Sequence, residues 1–265
     1  MRKYLLLAKL TFEEYFVYRL NFILWRFRSF IGFLTLFFFW LAIYGNRNEF
    51  LGYQKAQILA YVVGIAFLRS FVLGSRSAEL AGQVRSGELS RFFLQPINVI
   101  YFWLTRDFVD KSLNLVFTII EISLVILLFK FPFYFPQKLV SYFFFLVLIF
   151  LALFLYFFLS FTLSLIAFWT EEIWAARWLV GIIFLEFFAG AFFPIDVVPF
   201  WLQKIIYLTP FPYLVFFPLK IWLEQISGTV AIRAIFVCAG WLLVFYWLTK
   251  FLWQKGIKNY DAFGG

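Results

Sequence analysis

VSYFFFLVLIFLALFLYFFLSFTLSLIAFW, residues Val140 to Trp169, contains no Asp, Glu, Lys or Arg. A helix rises about 1.5 Å per residue, and roughly 20 mostly apolar residues cross a hydrocarbon core about 30 Å thick. The stretch is longer than one crossing needs, so it predicts a transmembrane helix that tilts or runs past the lipid. Thr170, Glu171 and Glu172 end it.

Similar runs lie on both sides. Upstream, Ser29 to Gly45 reads as a first span that can begin near Asn21, with Arg26 and Arg28 snorkelling toward one headgroup layer. Gln57 to Gly74 reads as a second, with Arg69 near its end. Ser112 to Phe129 reads as a third, closed by Lys130 and by Pro132 and Pro136, which discourage helix continuation. Downstream, Trp178 to Phe193 is a fifth and Ile232 to Trp253 a sixth. Phe193 to Gln225 is apolar as well, but Pro194, Pro199, Pro210, Pro212 and Pro218 break it too often for one crossing helix. Short helices dipping into the outer interface are expected there.

Composition supports a bilayer as the solvent. Hydrophobic residues make up 65% and charged residues 14%, against about 45–50% and about 25% in soluble domains. The 43 Phe and 11 Trp suit lipid-facing surfaces and interfacial belts. One cysteine, Cys238, and no histidine exclude an intrachain disulfide, a thiolate or imidazole metal cluster, and Ser-His or Cys-His nucleophilic sites. No Gly-x-x-x-x-Gly-Lys-Ser/Thr loop occurs, nor even a Gly-Lys pair, so the chain has no phosphate cradle of its own and is not expected to be an ATPase or other enzyme. Lys9 interrupts the first apolar stretch, so no cleaved signal is expected.

Lys and Arg concentrate in loops on the cytoplasmic side. Arg2, Lys3, Lys9, Arg19, Arg26 and Arg28 precede or open the first span; Arg69, Arg76, Arg85, Arg91, Arg106 and Lys111 mark the second-to-third connection; Lys250, Lys255 and Lys258 follow or close the sixth. Both termini are therefore expected in the cytoplasm of a multi-pass protein of the cell membrane, inner or plasma. Topology accounts for the net charge of +9, and no nucleic acid is expected as a partner.

Within the long polar connection, Ser75 to Pro96 has the pattern of a short surface helix. Ser77 can cap it, Glu79 suits its N-terminal dipole and Gly87 is placed to end it. Leu80 and Val84, four apart, make an apolar stripe, with Glu79, Gln83 and Ser86 on a polar side. The run Gly87-Glu88-Leu89-Ser90-Arg91-Phe92-Phe93-Leu94-Gln95-Pro96-Ile97-Asn98 resembles the cytoplasmic segment of type-2 ATP-binding-cassette (ABC) permeases, in which Gly-Glu-Leu and a later Pro-Ile or Pro-Val recur. A second run, Gly190-Ala191-Phe192-Phe193-Pro194-Ile195-Asp196 with Pro199-Phe200-Trp201-Leu202, Pro210-Phe211-Pro212-Tyr213 and Pro218, is similar to the Gly, Phe-Pro, Pro-x-Trp-Leu and Pro-Phe series of the same family.

The resemblance covers nearly the whole chain. It implies that residues 1–20 form an interfacial helix; that segment 75–106 couples to a cassette ATPase through Arg76, Glu79, Gln83, Arg85, Gly87, Glu88, Leu89 and Pro96; and that Gly190, Pro194, Asp196, Pro199, Trp201 and Pro210 shape an extracellular re-entrant region at 193–225. It implies the permease subunit of an exporter working by alternating access. Two cassette copies would carry ATP and Mg, and a second permease chain, identical or paralogous, would complete the pore. A channel or assembly scaffold without ATP coupling is the alternative.

Two carboxylates fall near mid-span, Glu121 in the third and Glu186 in the fifth. Such groups cost about 2.5–3.5 kcal/mol on insertion scales and face a bundle interior or cavity, which makes both candidates for a translocation path. For Glu121 the alternative is a protonated carboxyl bonded to Ser160, Thr162 or Ser164 of the fourth span. The resemblance adds that Glu186 and Gly190 belong to a span that lines the path in related permeases. The expected fold is all-α: one permease domain over residues 1–265, polytopic, with six transmembrane helices.

Overall fold

The computed structural model describes residues 2–130, 134–170, 172 and 174–260. The chain opens with α1 (Arg2–Val17) and α2 (Arg19–Tyr44), turns through a small antiparallel hairpin, β1 (Glu49–Phe50) and β2 (Tyr53–Gln54), and enters α3 (Lys55–Phe71). A 3-10 turn, Arg76–Glu79, leads into α4 (Leu80–Arg85), followed by α5 (Ser90–Phe93) and α6 (Val99–Phe129). Next come α7 (Leu139–Leu165) with a 3-10 extension Ile166–Phe168, and α8 (Trp174–Leu179), which widens into a π-helical segment, Val180–Phe188. Short 3-10 turns at Ile195–Val197 and Phe211–Tyr213 alternate with α9 (Phe200–Tyr207) and α10 (Phe216–Trp222), and α11 (Gly228–Lys258) closes the chain.

The all-α architecture holds apart from the two-residue strands of the hairpin. Among the described residues, four helices are long and apolar enough to cross a membrane: α2, α6, α7 with its extension, and α11. Two bent pairs, α3 with Arg76–Arg85 at 49° and α9 with Phe211–Trp222 at 80°, raise the number of candidate spans to as many as six. Exposed Trp25, Phe27, Ile120, Leu127, Phe143, Leu146 and Phe150 on α2, α6 and α7 form an apolar surface too extensive for water and suited to lipid.

Apolar runs alone misplace one boundary badly. The third span was expected to begin at Ser112, yet α6 begins at Val99, where the Asn98 side chain accepts hydrogen bonds from the amides of Ile100 (3.0 Å) and Tyr101 (3.2 Å). Residues 99–106 of the expected coupling segment are thus the first turns of a long helix rather than loop, and Arg106 and Lys111 are helix residues. Of the polar residues that masked this start, Asp107 and Lys111 pair with each other, and Arg106 and Asp110 pair with α1 and with the turn before α4. Lys130, at φ +47°, ends α6; Pro132 and Glu171, expected to help close the third and fourth spans, lie outside the described residues.

α7 is the central post. Its first half packs with α2, α3, α10 and the start of α11 around Phe37, Tyr61, Ile65, Leu148, Leu155 and Leu219. Its second half joins α4, α6 and the end of α11 around Leu80, Leu89, Trp103, Phe157, Phe161 and Phe168. Full burial of each such side chain contributes about 1.5–3 kcal/mol. At Gly256 of α11 an added Cβ would lie 2.2 Å from the Phe168 ring, so only glycine permits that helix to lie against the 166–168 turn.

Both described chain ends meet at one end of this bundle. Lys3 donates to the Pro96 carbonyl, the Tyr4 hydroxyl accepts from the Asn98 amide (3.3 Å), and the Tyr260 hydroxyl accepts from the Ser90 amide (3.2 Å). The opposite end holds the hairpin and segments 134–138 and 194–227, joined by contacts such as Trp222 Nε1 donating to the Tyr134 carbonyl (3.0 Å).

Candidate functional site

Segment 75–98, at the terminus-bearing end, is held from below and open above. Ser75, not Ser77, caps its first turn, accepting from the Ser77 amide at 3.3 Å. Ser77 is fully buried, with its carbonyl accepting from the Ser164 hydroxyl of α7 at 3.0 Å. The expected apolar stripe of Leu80 and Val84 is the buried face, with Ala81 beside it. Gly87 takes φ +76°, a left-handed residue that lets the Leu89 amide turn back to the Gln83 carbonyl at 3.1 Å. Leu89 is then fully buried as a second anchor. Among the residues expected to couple, Glu79, Arg85, Glu88 and Pro96 are exposed, Arg76, Gln83 and Gly87 are half-buried, and Leu89 faces inward.

A charge network fixes this segment to α1 and α6. Arg76 pairs with Glu79 (2.5 Å) and Asp110 (3.6 Å); Arg106 pairs with Glu14 of α1 (2.6 Å) and with Glu79 (3.7 Å). Tyr15 donates to Asp110, and burial followed by the Asp110 charge pushes its phenol well above the ordinary tyrosine range, so it remains a donor. Beneath the network, Asp107 accepts from the Arg76 amide (2.7 Å) and pairs with Lys111 (3.4 Å), both 1% exposed. Lys111 also donates to the carbonyls of Val72 (3.3 Å) and Gly74, supplying donors and positive charge where α3 ends.

Glu14, Tyr15, Asp107 and Asp110 were not singled out in the sequence, and Arg106 and Lys111 counted there only as loop charges. The available signal was the four-residue spacing of Asp107 and Lys111, together with like-spaced Arg106 and Asp110.

The mid-span carboxylates have charged partners. Arg26, expected to snorkel outward, is buried and forks onto Glu121, with Nε to Oε1 at 3.1 Å and Nη2 to Oε2 at 2.5 Å. Its Nη1 reaches Asn114 (3.3 Å) and its Nη2 also reaches Thr118 (3.0 Å). Glu121 is therefore not bonded to Ser160, Thr162 or Ser164. Thr162 instead meets Thr249 of α11 at 2.8 Å, and Ser164 serves Ser77 and the Ser160 carbonyl. Thr118 passes the connection on to Ser70 of α3 at 2.6 Å. One residue earlier on α3, Arg69 pairs with Glu186 of the π-helical segment and donates to the Ala191 carbonyl at 3.1 Å. Arg69, expected near the end of the second span and counted with the charges that follow it, is a residue of α3 turned toward the fifth apolar segment.

The proline-rich region forms a folded cap at the opposite end. Gly190 has φ +77°, its carbonyl accepts from the Tyr61 hydroxyl at 2.8 Å, and an added Cβ would stand 2.9 Å from that oxygen. Pro194 precedes the Ile195–Val197 turn, Pro199 caps α9, and Pro210 opens the Phe211–Tyr213 turn. Trp201 projects outward, 65% exposed. Asp196 accepts from Tyr53 of the hairpin (2.8 Å to each oxygen) and pairs with Lys220 of α10 at 2.6 Å. Lys220 also donates to the Tyr53 hydroxyl (2.8 Å) and Gln225 (2.6 Å). Burial, then the Asp196 charge, raises the Tyr53 phenol far above its ordinary value. Tyr53 and Lys220 carried no local signal in the sequence, because they join Asp196 only through the fold.

Among the described residues no three carboxylate or thiol groups converge as a metal would require. Segment 75–98 presents an exposed charged face, anchored through buried apolar and ionic contacts to the long helices. A comparison with curated proteins gives no match. The family model described as ABC-2 family transporter protein matches residues 30–264, from within α2 past the end of α11. Permeases of that family are membrane subunits for transport, distinct from the cassette ATPase with which they work. With nearly all of its bundle matched, this multi-pass membrane protein belongs to the ABC-2 transporter family.

Proposed function

We propose that the chain is the membrane-spanning permease subunit of an ATP-driven exporter. Two cassette ATPases dock on segment 75–98, where Glu79, Arg85, Glu88 and Pro96 lie open, and carry the ATP and Mg that this chain does not bind. A second permease chain, identical or paralogous, completes the path. The six spans that cross the membrane of the cell are α2, α3, α6, α7, the helical segment 174–188 and α11, with both termini cytoplasmic. α1 lies along the inner interface, and the 193–225 cap, with the bent pair of α9 and Phe211–Trp222 in it, dips into the outer one without crossing. ATP-driven closure of the cassettes moves segment 75–98, and alternating access follows.

The observation that carries this reading is the union of an exposed charged face with a buried underside. Leu80, Val84 and Leu89 sit in the same core as α7 and α11, and Arg76 and Arg106 tie the segment to α1 and α6. Motion imposed on such a segment is delivered to the spans rather than absorbed by a loose loop.

Mild-detergent purification of the tagged full chain from native membranes tests the reading. A stoichiometric cassette ATPase should accompany it, and Arg85→Ala with Glu88→Ala, both exposed positions, should release that ATPase while the chain stays folded. An intact chain that carries no ATPase would overturn the proposal in favour of a channel or scaffold.

A further inference from the structure

Among the described residues two Arg–Glu pairs lie at span depth, and they differ in kind. Arg26–Glu121 is sealed: the Arg26 side chain is 10% exposed, and Nε, Nη1 and Nη2 all have protein acceptors. That is the form a structural pair takes in a low-dielectric setting, where every donor must be satisfied. Arg69–Glu186 is open: the Arg69 side chain is 43% exposed and that of Glu186 27%. Only Nη2 of Arg69 is engaged, by Glu186 and the Ala191 carbonyl. Among the described residues its Nε and Nη1 have no hydrogen-bond partner.

Depth makes this opening informative. Arg69 lies about 21 Å along α3 from Lys55, inside the roughly 30 Å of a hydrocarbon core if Lys55 marks its edge. A guanidinium with free donors is costly there unless water or a charged ligand meets it. Its surroundings are amphiphilic: Ile183, Phe187 and Phe192, on the same segment as Glu186 or just after it, are 39–43% exposed.

Resting on the exporter reading, we infer that Arg69 and Glu186 form a headgroup subsite for a cargo amphiphile bearing an oxyanion such as a phosphate. Arg69 offers Nε and Nη1 to the oxyanion, a geometry that guanidinium matches and ammonium does not. Glu186 is a positioning residue that holds the guanidinium by Nη2. Ile183, Phe187 and Phe192 accept the apolar tail. The Glu186 segment is π-helical, a wide turn often found at functional positions.

The test needs no ATPase, so its failure is separable from failure of the exporter reading. The full chain in a maltoside detergent is titrated with phosphatidic acid, with diacylglycerol and with inorganic phosphate, and bound ligand is counted by native mass spectrometry. Phosphatidic acid should be retained at least about tenfold more tightly than either of the others. Arg69→Gln and Arg69→Lys should each lose about tenfold or more, whereas Glu186→Gln, whose amide oxygen still accepts from Nη2 while the competing negative charge is gone, should bind as well as the parent or better. Arg28→Gln, at an exposed position, should leave binding unchanged. Overturning results are equal retention of diacylglycerol or of inorganic phosphate, binding by Arg69→Gln equal to the parent, or losses in Glu186→Gln or Arg28→Gln that match those in Arg69→Gln.

Discussion

Replacing Gly190 with alanine should destabilise the fold by about 2–5 kcal/mol, from two separable sources. The backbone sits at φ +77°, a region in which an L-residue costs about 1–2 kcal/mol. The added Cβ would also stand 2.9 Å from the Tyr61 hydroxyl, 3.2 Å from Ile195 and 3.3 Å from Phe216, and Tyr61 is fully buried. Its hydroxyl must withdraw from the Gly190 carbonyl, and a buried pair left unmet costs about 1–3 kcal/mol. Unfolding in mixed micelles, followed by tryptophan fluorescence, measures the loss. Tyr61→Phe separates the terms: alone it should cost about 1 kcal/mol, but added to Gly190→Ala it should cost almost nothing, because the bond is already broken and the crowding atom is gone. Gly190→Ala that unfolds like the parent, or two substitutions whose costs add, would refute the reasoning.

Glu121→Gln should destabilise by about 3–5 kcal/mol by leaving the Arg26 charge without its counter-ion, while Arg26→Met with Glu121→Leu should recover most of that loss in the same titration. Gly87→Ala, at φ +76°, should weaken the end of α4 by about 1 kcal/mol and raise amide exchange across residues 80–89 roughly fivefold. Glu224 caps the start of α7, accepting from the Lys138 amide (2.8 Å) and the Ser141 hydroxyl (2.9 Å), and the Lys138 amide, foremost, lowers its carboxyl below the usual range. Its folded form thus favours the carboxylate, so its contribution is full above about pH 4 and fades as pH falls through the lowered folded value. Glu224→Gln should flatten the acid limb of a stability-against-pH curve; an unchanged limb would remove Glu224 from the account.

The spans that read clearly in the sequence are those with uninterrupted apolar surface, as in Val140 to Trp169. The start of α6 did not, because Arg106, Asp107, Asp110 and Lys111 look like loop residues until each is given its partner on α1, α3 or the turn before α4. The same holds for Arg26: a cation near a span's end implies snorkelling, and only the lateral neighbour Glu121, ninety-five residues on, turns it inward. At the candidate docking segment, the stripe of Leu80 and Val84 and the stop at Gly87 were legible because both are local. The Tyr53–Asp196–Lys220 cluster was not, since its members come from three distant stretches and share no periodicity.

α6 is 31 residues long, about 46 Å, and so outreaches a hydrocarbon core of about 30 Å by about 16 Å. It is gripped near Thr118, where Ser70 and Arg26 meet it. That grip divides the helix into arms of about 28 Å toward Val99 and about 16 Å toward Phe129. Were the helix to pivot there as a rigid rod, with α1 and the turn before α4 carried along through Arg106, Asp107 and Asp110, it would work as a reduction lever: sideways travel at the Val99 end would reappear reversed at the Phe129 end at a little over half the amplitude, with force increased in inverse proportion.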